Sequence, residues 1–230
     1  MTELGTPRLH LRATTSTNDC ARELAAAGAP HGTLVTAGSQ SAGRGRQGRT
    51  WSAPPGRALL MSLVLHDPPS LLPLAAAVAV ADVAGPQAAI KWPNDVLLGG
   101  RKVAGILAEG RPQQGWAVLG VGLNVAVRPG DLPEELRNTA AGLGLQPADV
   151  EPVLARLLAA LQRTFSLDPG ALLDAWRDRD ALLGREISWS AGRGRAGGID
   201  GAGRLIVELA DGGRTALEAG EVHLDPRPAT

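Results

Sequence analysis

The chain has 230 residues, enough for one sizeable core or a main domain with a small satellite. Its 23 Lys and Arg balance 23 Asp and Glu, which argues against a protein devoted to nucleic acid or an anionic membrane, since both demand a broad basic surface. The single cysteine, Cys20, excludes an intrachain disulfide and points to a reducing compartment, and neither the N-terminus nor the apolar run from Leu71 to Ala81 has the pattern of a signal peptide or a membrane span, so a soluble, cytoplasmic protein is expected.

Ser16-Thr-Asn-Asp19 opens a helix to about Ala27, with a hydroxyl N-cap, an acidic residue three positions on and Gly28 as the stop. Thr33–Ala37 reads as a short strand leading into Gln40-Ser-Ala-Gly-Arg-Gly-Arg-Gln-Gly-Arg-Thr-Trp51. Its glycines allow close approach to a ligand and its arginines suit phosphate or carboxylate oxygens, but the segment suits neither a stable helix nor a good strand. Arg57–Leu65 is a buried strand candidate, and Ser70 caps an apolar helix to about Val83 with Pro73 in its first turn. Ala89–Trp92 is a strand that Pro93 interrupts; Val96–Leu98, the Gly99-Gly100 turn and Arg101–Glu109 form a hairpin, and Trp116–Val125 is the next strand. Helices are expected from Ala148 to Phe165 and from Ala171 to Leu182. Short β segments at 186–190, 195–199, 205–208 and 215–217 then suggest a small all-β module. The whole reads as an α+β chain with a mixed, largely antiparallel sheet and flanking helices, divided into a catalytic domain 1–182 and a barrel 183–230.

Gly43-x-Gly45-x-x-Gly48 matches a dinucleotide fingerprint in letters, but Pro54-Pro55 follow where that fingerprint needs a helix. A solvated basic loop and a ligand-covering loop both stay open; Trp51 at its end and Gln40 at its base favour the second. Lys91-Trp-Pro-Asn-Asp95 presents an amide between a cation and a carboxylate at a strand end, or is an ordinary Pro-Asn-Asp turn. Lys102 follows a turn, where most lysines are solvated, yet Gly105 lies within the same strand, and a strand glycine marks a close approach. Period-two alternation puts Trp116, Val118, Gly120, Gly122 and Asn124 on one face, a strand with something lying flat against it or cleared for a helix. The four histidines lack ligand spacing, and the cationic, polar candidate site suits chemistry on phosphate esters.

Ser16-Thr-Asn18, Gln40–Trp51, Lys91–Asp95, Arg101–Glu109 and Gly120-Val-Gly-Leu-Asn124 together closely resemble the biotin–protein ligases, in that family's order and spacing. The Gly198–Gly203 segment resembles that family's C-terminal SH3-like barrel. The resemblance implies a catalytic domain like the class II aminoacyl-tRNA synthetases and the activity of a biotin–[acetyl-CoA-carboxylase] ligase. Biotin and ATP with Mg2+ would give biotinyl-5′-AMP and pyrophosphate, and a lysine of a biotin carboxyl carrier protein would then take the biotinyl group. It implies further that Ser16, Thr17, Asn18 and Gln40 bind biotin, helped by Gly43, Arg44 and Arg46, with Gly105, Ile106 and Gly120 lining the pocket and Lys102 at the carboxylate. Nucleotide binding falls to Arg44, Arg46, Arg49, Trp51, Lys91, Asn94, Lys102, Gly122 and Asn124. Lys102, Arg44 and Arg46 would be catalytic, with Asp95 near the incoming lysine.

Three departures matter. The Ser-Thr-Asn motif begins by residue 16, which leaves no room for the winged-helix domain of many relatives, so DNA binding is not expected. Ser52-Ala-Pro-Pro55 replaces an aromatic-rich stretch, and Gln47 stands where a basic residue is common. A lipoate or octanoate ligase of the same fold is the nearest rival, and a small nucleic-acid-binding protein the rival from another class. A homodimer through an exposed strand edge is also open.

Overall fold

The computed structural model describes residues 3–111, 115–218 and 220–224. Residues 219 and 225–230 of the expected 183–230 unit, and 1–2 and 112–114 of the other, lie outside the described residues. Along the chain, β1 (Arg8–Leu11), α1 (Thr17–Ala26) and β2 (Leu34–Ala37) precede two short strands, β3 (Gly43–Arg44) and β4 (Thr50–Trp51). Then come β5 (Ala58–His66), α2 (Leu72–Ala84), β6 (Ala88–Lys91), β7 (Asp95–Leu98), β8 (Arg101–Arg111) and β9 (Trp116–Asn124). Helices α3 (Val150–Phe165) and α4 (Pro169–Arg177) lead to β10 (Glu186–Trp189), β11 (Gly192–Ile199), β12 (Leu205–Glu208), β13 (Arg214–Leu217) and β14 (His223–Leu224).

The main sheet has the order β1-β2-β5-β9-β8-β7-β6. Only β1 and β2 pair in parallel; the other neighbours are antiparallel. Period two along β5 divides its side chains between two environments. Leu59, Met61, Leu63 and Leu65 join the large core under α2 and α3, while Val64 packs against α1 with Val35, Trp116 and Val118. Ala58 and Leu60 belong to a third cluster with Val127, Leu132 and Trp51. Helix α2 is buried almost all round because it lies between the sheet and α3, which explains a sequence with no polar face.

The five C-terminal strands form an antiparallel sheet in the order β13-β12-β11-β10-β14, which fits a small barrel. Ile187, Ala196, Leu205 and Val207 continue the large core, and the Trp92 indole N–H donates to the Gly203 carbonyl at 3.1 Å. Gly203 has φ +76, and a Cβ there would press on Leu71 and Leu74 at about 3 Å. The two sheets are thus joined by dry packing, not only by the chain.

Several local expectations are corrected. Ser16 is the N-cap of α1 but makes no side-chain cap bond, because Asp19 is drawn to Arg22 and Arg44 instead of completing a capping box. Leu71, not Ser70, precedes α2, and Pro73 sits at its second helical position. Helix α4 ends at Arg177, five residues before Leu182, with Asp168 accepting from the Ala171 N–H at its start. The Gly/Arg loop is more ordered than its composition implies: β3 pairs with β4, Gly43 opposite Trp51, around a 3-10 turn in which Gln47 takes φ 53. Strands β1 and β14 carried no signal that was read. Among the described residues, no helix is long and apolar enough to cross a membrane.

Candidate active site

Where the α1 face of the sheet meets the β3–β4 hairpin, a cavity of about 490 Å³ opens, a size suited to a small organic ligand. Its floor is the glycine face of β9 and β8. A Cβ on Gly120 would collide with the Asn18 amide, and one on Gly122 with the Trp51 indole. At Gly105 it would meet Trp51 at 3.1 Å and the Lys102 side chain at 3.3 Å. Both readings of the β9 face hold: Gly120 is cleared for a helix residue, and Gly122 has an aromatic ring lying on it.

One end of the cavity is uncharged and polar. The Gln40 carbonyl oxygen accepts the Thr17 N–H at 2.7 Å and lies 3.0 Å from the Thr17 hydroxyl. Behind them the Ser62 hydroxyl is 2.8 Å from Thr17 Oγ1 and 2.6 Å from Asn18 Oδ1, and the Asn18 amide donates to Glu109 at 2.9 Å. Ser16, Thr17 and Asn18 are all buried. Gly43 alone of the expected residues does not line the cavity; it sits behind it, its missing Cβ leaving room for the Gln40 amide nitrogen.

The other end gathers cations. Lys102 Nζ is 2.6 Å from Asp95 Oδ1 and 5.7 Å from the Trp51 ring centroid. A register shift between Val96 and Leu97 places a bulge in β8 just after Lys102. The bulge re-aims Lys102 toward the Gly105 face, which strict alternation denies it. Burial pushes the Lys91 and Arg46 pKa values down, opposed by nearby Asp95. Among the described residues neither cation has an ion pair within 4.0 Å, although both line the cavity. Arg44 is tied to Asp19 at 3.0 Å and Arg49 to Glu221 at 2.6 Å, so the loop's guanidiniums are shared between α1, the cavity and the C-terminal segment.

Asn94 and Asn124 also line the cavity, but their amide nitrogens are committed to the Ile106 and Ala141 carbonyls, at 2.7 and 2.9 Å. What Asn124 leaves over is Oδ1, buried and, among the described residues, without a partner, so any side-chain role toward a nucleotide or its ion runs through that oxygen. Among the described residues no three His, Cys, Asp or Glu converge on a metal position. A magnesium ion that enters on a nucleotide suits this donor set, since Mg2+ takes few protein ligands and keeps its phosphates and waters.

Sequence reasoning missed four parts of this site. Ser62 read as one polar residue in a core strand, and Glu109 as a strand end. Glu221 gave no signal, and neither did Leu132, Leu136 and Thr139, which close the wall beside Lys102 through its N–H bond to the Thr139 carbonyl at 2.7 Å.

The biotin/lipoate A/B protein ligase family model matches residues 11–125, half of the chain and most of the cavity wall. The chain is 37% identical over 241 residues to the biotin–[acetyl-CoA-carboxylase] ligase of Paracoccus denitrificans, covering 92% of this chain and 98% of that one. It is 36% identical over 222 residues to the bifunctional ligase/repressor BirA of Bacillus subtilis, covering 86% and 68%. The biotin protein ligase of Aquifex aeolicus, solved with biotin and ATP, superposes with a TM-score of 0.79 over 96% of this chain and 100% of that one, at 24% identity, and so shares its fold. Sequence similarity that runs through both ends of this glycine-floored cavity places the chain in the biotin/lipoate A/B protein ligase family.

Proposed function

We propose that this protein joins biotin to a lysine of a biotin carboxyl carrier protein at the expense of ATP. The carrying observation is that one cavity holds Gln40 and Thr17 at a neutral polar end and Lys102, Lys91 and Arg46 at the other. Biotin's ureido ring suits the first, and its carboxylate, with the phosphates, suits the second. In the first step the carboxylate oxygen attacks the α-phosphorus and pyrophosphate leaves. In the second, the lysine amine attacks the acyl carbon, AMP leaves and the amine loses a proton.

The barrier in the first step is largely electrostatic, because two anions must meet. A unit-charge pair at about 4 Å is worth roughly 4 kcal/mol at an effective dielectric of 20. Lys102 would leave Asp95 for the new anions, and Lys91 and Arg46 would stabilise the departing pyrophosphate. Asp95 is then free for the incoming amine. The arginines of the loop would close the site and keep water from the acyl phosphate. Magnesium, bound by the nucleotide and reached by Asn124 Oδ1, would supply further charge neutralisation.

Within this reading residues 1–182 form the catalytic unit, of the class II synthetase type, and 183–230 an SH3-like barrel whose Glu221 reaches the loop through Arg49. The unpaired outer edge of β1 is where two copies would meet if a homodimer forms. The lipoate alternative is not favoured: a fatty acyl chain offers nothing for the Gln40 carbonyl and the Thr17 hydroxyl to bind. The test is to incubate the protein with MgATP, a carrier domain, and biotin or lipoate, then weigh the carrier. A mass gain of one biotin is expected; a gain with lipoate alone, or none, overturns the proposal.

A further inference from the structure

The polar end of the cavity contains three close oxygen contacts and two hydroxyl protons to fill them. Thr17 Oγ1 lies 3.0 Å from Gln40 Oε1, Ser62 Oγ lies 2.8 Å from Thr17 Oγ1, and Ser62 Oγ lies 2.6 Å from Asn18 Oδ1. A hydroxyl donates one proton, a carboxylate only accepts, and an amide does one at each end. Those rules assign the protons from the outside inwards.

Glu109 is the outer anchor. Its carboxylate accepts from Arg22 at 3.3 Å and from the Asn18 amide nitrogen at 2.9 Å, so the Asn18 nitrogen must face it. Asn18 Oδ1 is thereby turned toward Ser62 and against Gly120, which has no side chain to obstruct it. An amide oxygen cannot donate, so the Ser62 proton is spent on Asn18 and none is left for Thr17. The single Thr17 proton then has two candidate acceptors, but Gln40 Oε1 already takes the Thr17 N–H at 2.7 Å, whereas Ser62 Oγ, fully buried, has no other donor among the described residues. If it goes to Ser62, Thr17 Oγ1 and Gln40 Oε1 become adjacent acceptors that face the cavity and can be bridged by an N–H group from a ligand.

We propose that Ser62 and Glu109, neither of which lines the cavity, are positioning residues that set the donor–acceptor polarity of the ligand-reading end, so that it takes a ring N–H donor. This rests on the proposed biotin substrate, whose ureido ring carries two N–H groups. Ser62 is fully buried, and Thr17 and Asn18 are each 4% exposed, so water is poorly placed to supply the missing partner. Glu109 acts through Asn18, and Asn18 through Ser62. A ligand without the N–H would leave Thr17 Oγ1 without a donor and the second lone pair of Gln40 Oε1 unfilled, the loss that follows when buried polar atoms stay unpaired.

The experiment compares biotin and ATP kinetics for the wild type, Ser62→Ala, Ser62→Cys and Glu109→Gln. Ser62→Ala removes the acceptor that draws the Thr17 proton away from Gln40, so the biotin KM should rise about tenfold while kcat and the ATP KM stay within about twofold. Ser62→Cys, of similar volume and weaker hydrogen bonding, should fall between the two. In Glu109→Gln the anchor can donate as well as accept, the Asn18 amide can turn over, and the biotin KM should rise severalfold. An unchanged biotin KM in Ser62→Ala, or equal rises in both KM values, overturns the inference while biotinylation by the wild type leaves the proposed function standing. If Ser62→Ala does not fold, Glu109→Gln decides, and an unchanged biotin KM there overturns it. A wild type that never uses biotin overturns both.

Discussion

Lys102 Nζ is held 2.6 Å from Asp95 Oδ1, inside the cavity and beside the Trp51 ring. The contact aims the ammonium group across the ligand face of β8, and on the proposed function an anionic substrate would take the place of the carboxylate.

Lys102→Met should therefore damage activation more than transfer. Biotin-dependent exchange of pyrophosphate into ATP is expected to fall by about 10² or more, the usual consequence of removing one well-placed transition-state charge. Transfer from preformed biotinyl-AMP to the carrier should fall much less. Equal losses in the two assays would show that Lys102 merely holds the site together.

Lys91 gives a pH prediction. Burial lowers its pKa from 10.5, so the folded protein resists the charged form, and that cost is present at neutral pH. The cost is relieved as pH rises through the window between the lowered value and 10.5, so stability gains from Lys91 over that range. A triphosphate favours the charged form, and binding in that window should take up a proton. Calorimetric titrations of ATP in pairs of buffers of different ionisation enthalpy, stepped through the alkaline range below 10.5, should reveal the uptake. Lys91→Arg, always charged, should abolish it.

Gly122→Ala puts a methyl group where the Trp51 indole lies. The ring must move, at a stability cost of about 1–3 kcal/mol. Its fluorescence should shift and the ATP KM should rise. In Trp51→Ala the same glycine change should cost little, since neighbours in contact do not add. Additive losses in the double variant would dismiss the contact.

Trp92→Phe removes the indole N–H and leaves the Gly203 carbonyl unpartnered between the two sheets. Denaturant unfolding should show a loss of about 1–3 kcal/mol. The biotin KM should not change, because Trp92 neither lines the cavity nor bonds to the network behind Thr17 and Gln40. A large biotin defect would mean that the Trp92–Gly203 contact also positions the ligand-reading end.

Much of the site was legible because its signals are local. Gln40–Trp51 combines glycine, arginine and a closing Trp within twelve residues, and Lys91–Asp95 places charge beside a strand end. Period-two alternation along β9 put Gly120, Gly122 and Asn124 on one face, and the structure keeps them there. The loop's internal hairpin was not legible, since Gly43 is a poor strand former that pairs with Trp51 only once β5 and the cavity wall support the ring. The Ser16 capping box failed for the opposite reason: Asp19 has two arginines within reach, one brought from the loop.

By itself, then, the sequence determined which residues carry charge, amide and glycine to the site, and which strands present them, because composition and periodicity are properties of neighbouring positions. The tertiary structure alone decided how those groups are oriented. The β8 bulge turns Lys102 onto the ligand face, and Ser62 and Glu109 reach Asn18 from 44 and 91 residues away in the chain. Hydrogen-bond polarity is a property of a closed network, and no segment of the chain contains enough of this network to state it.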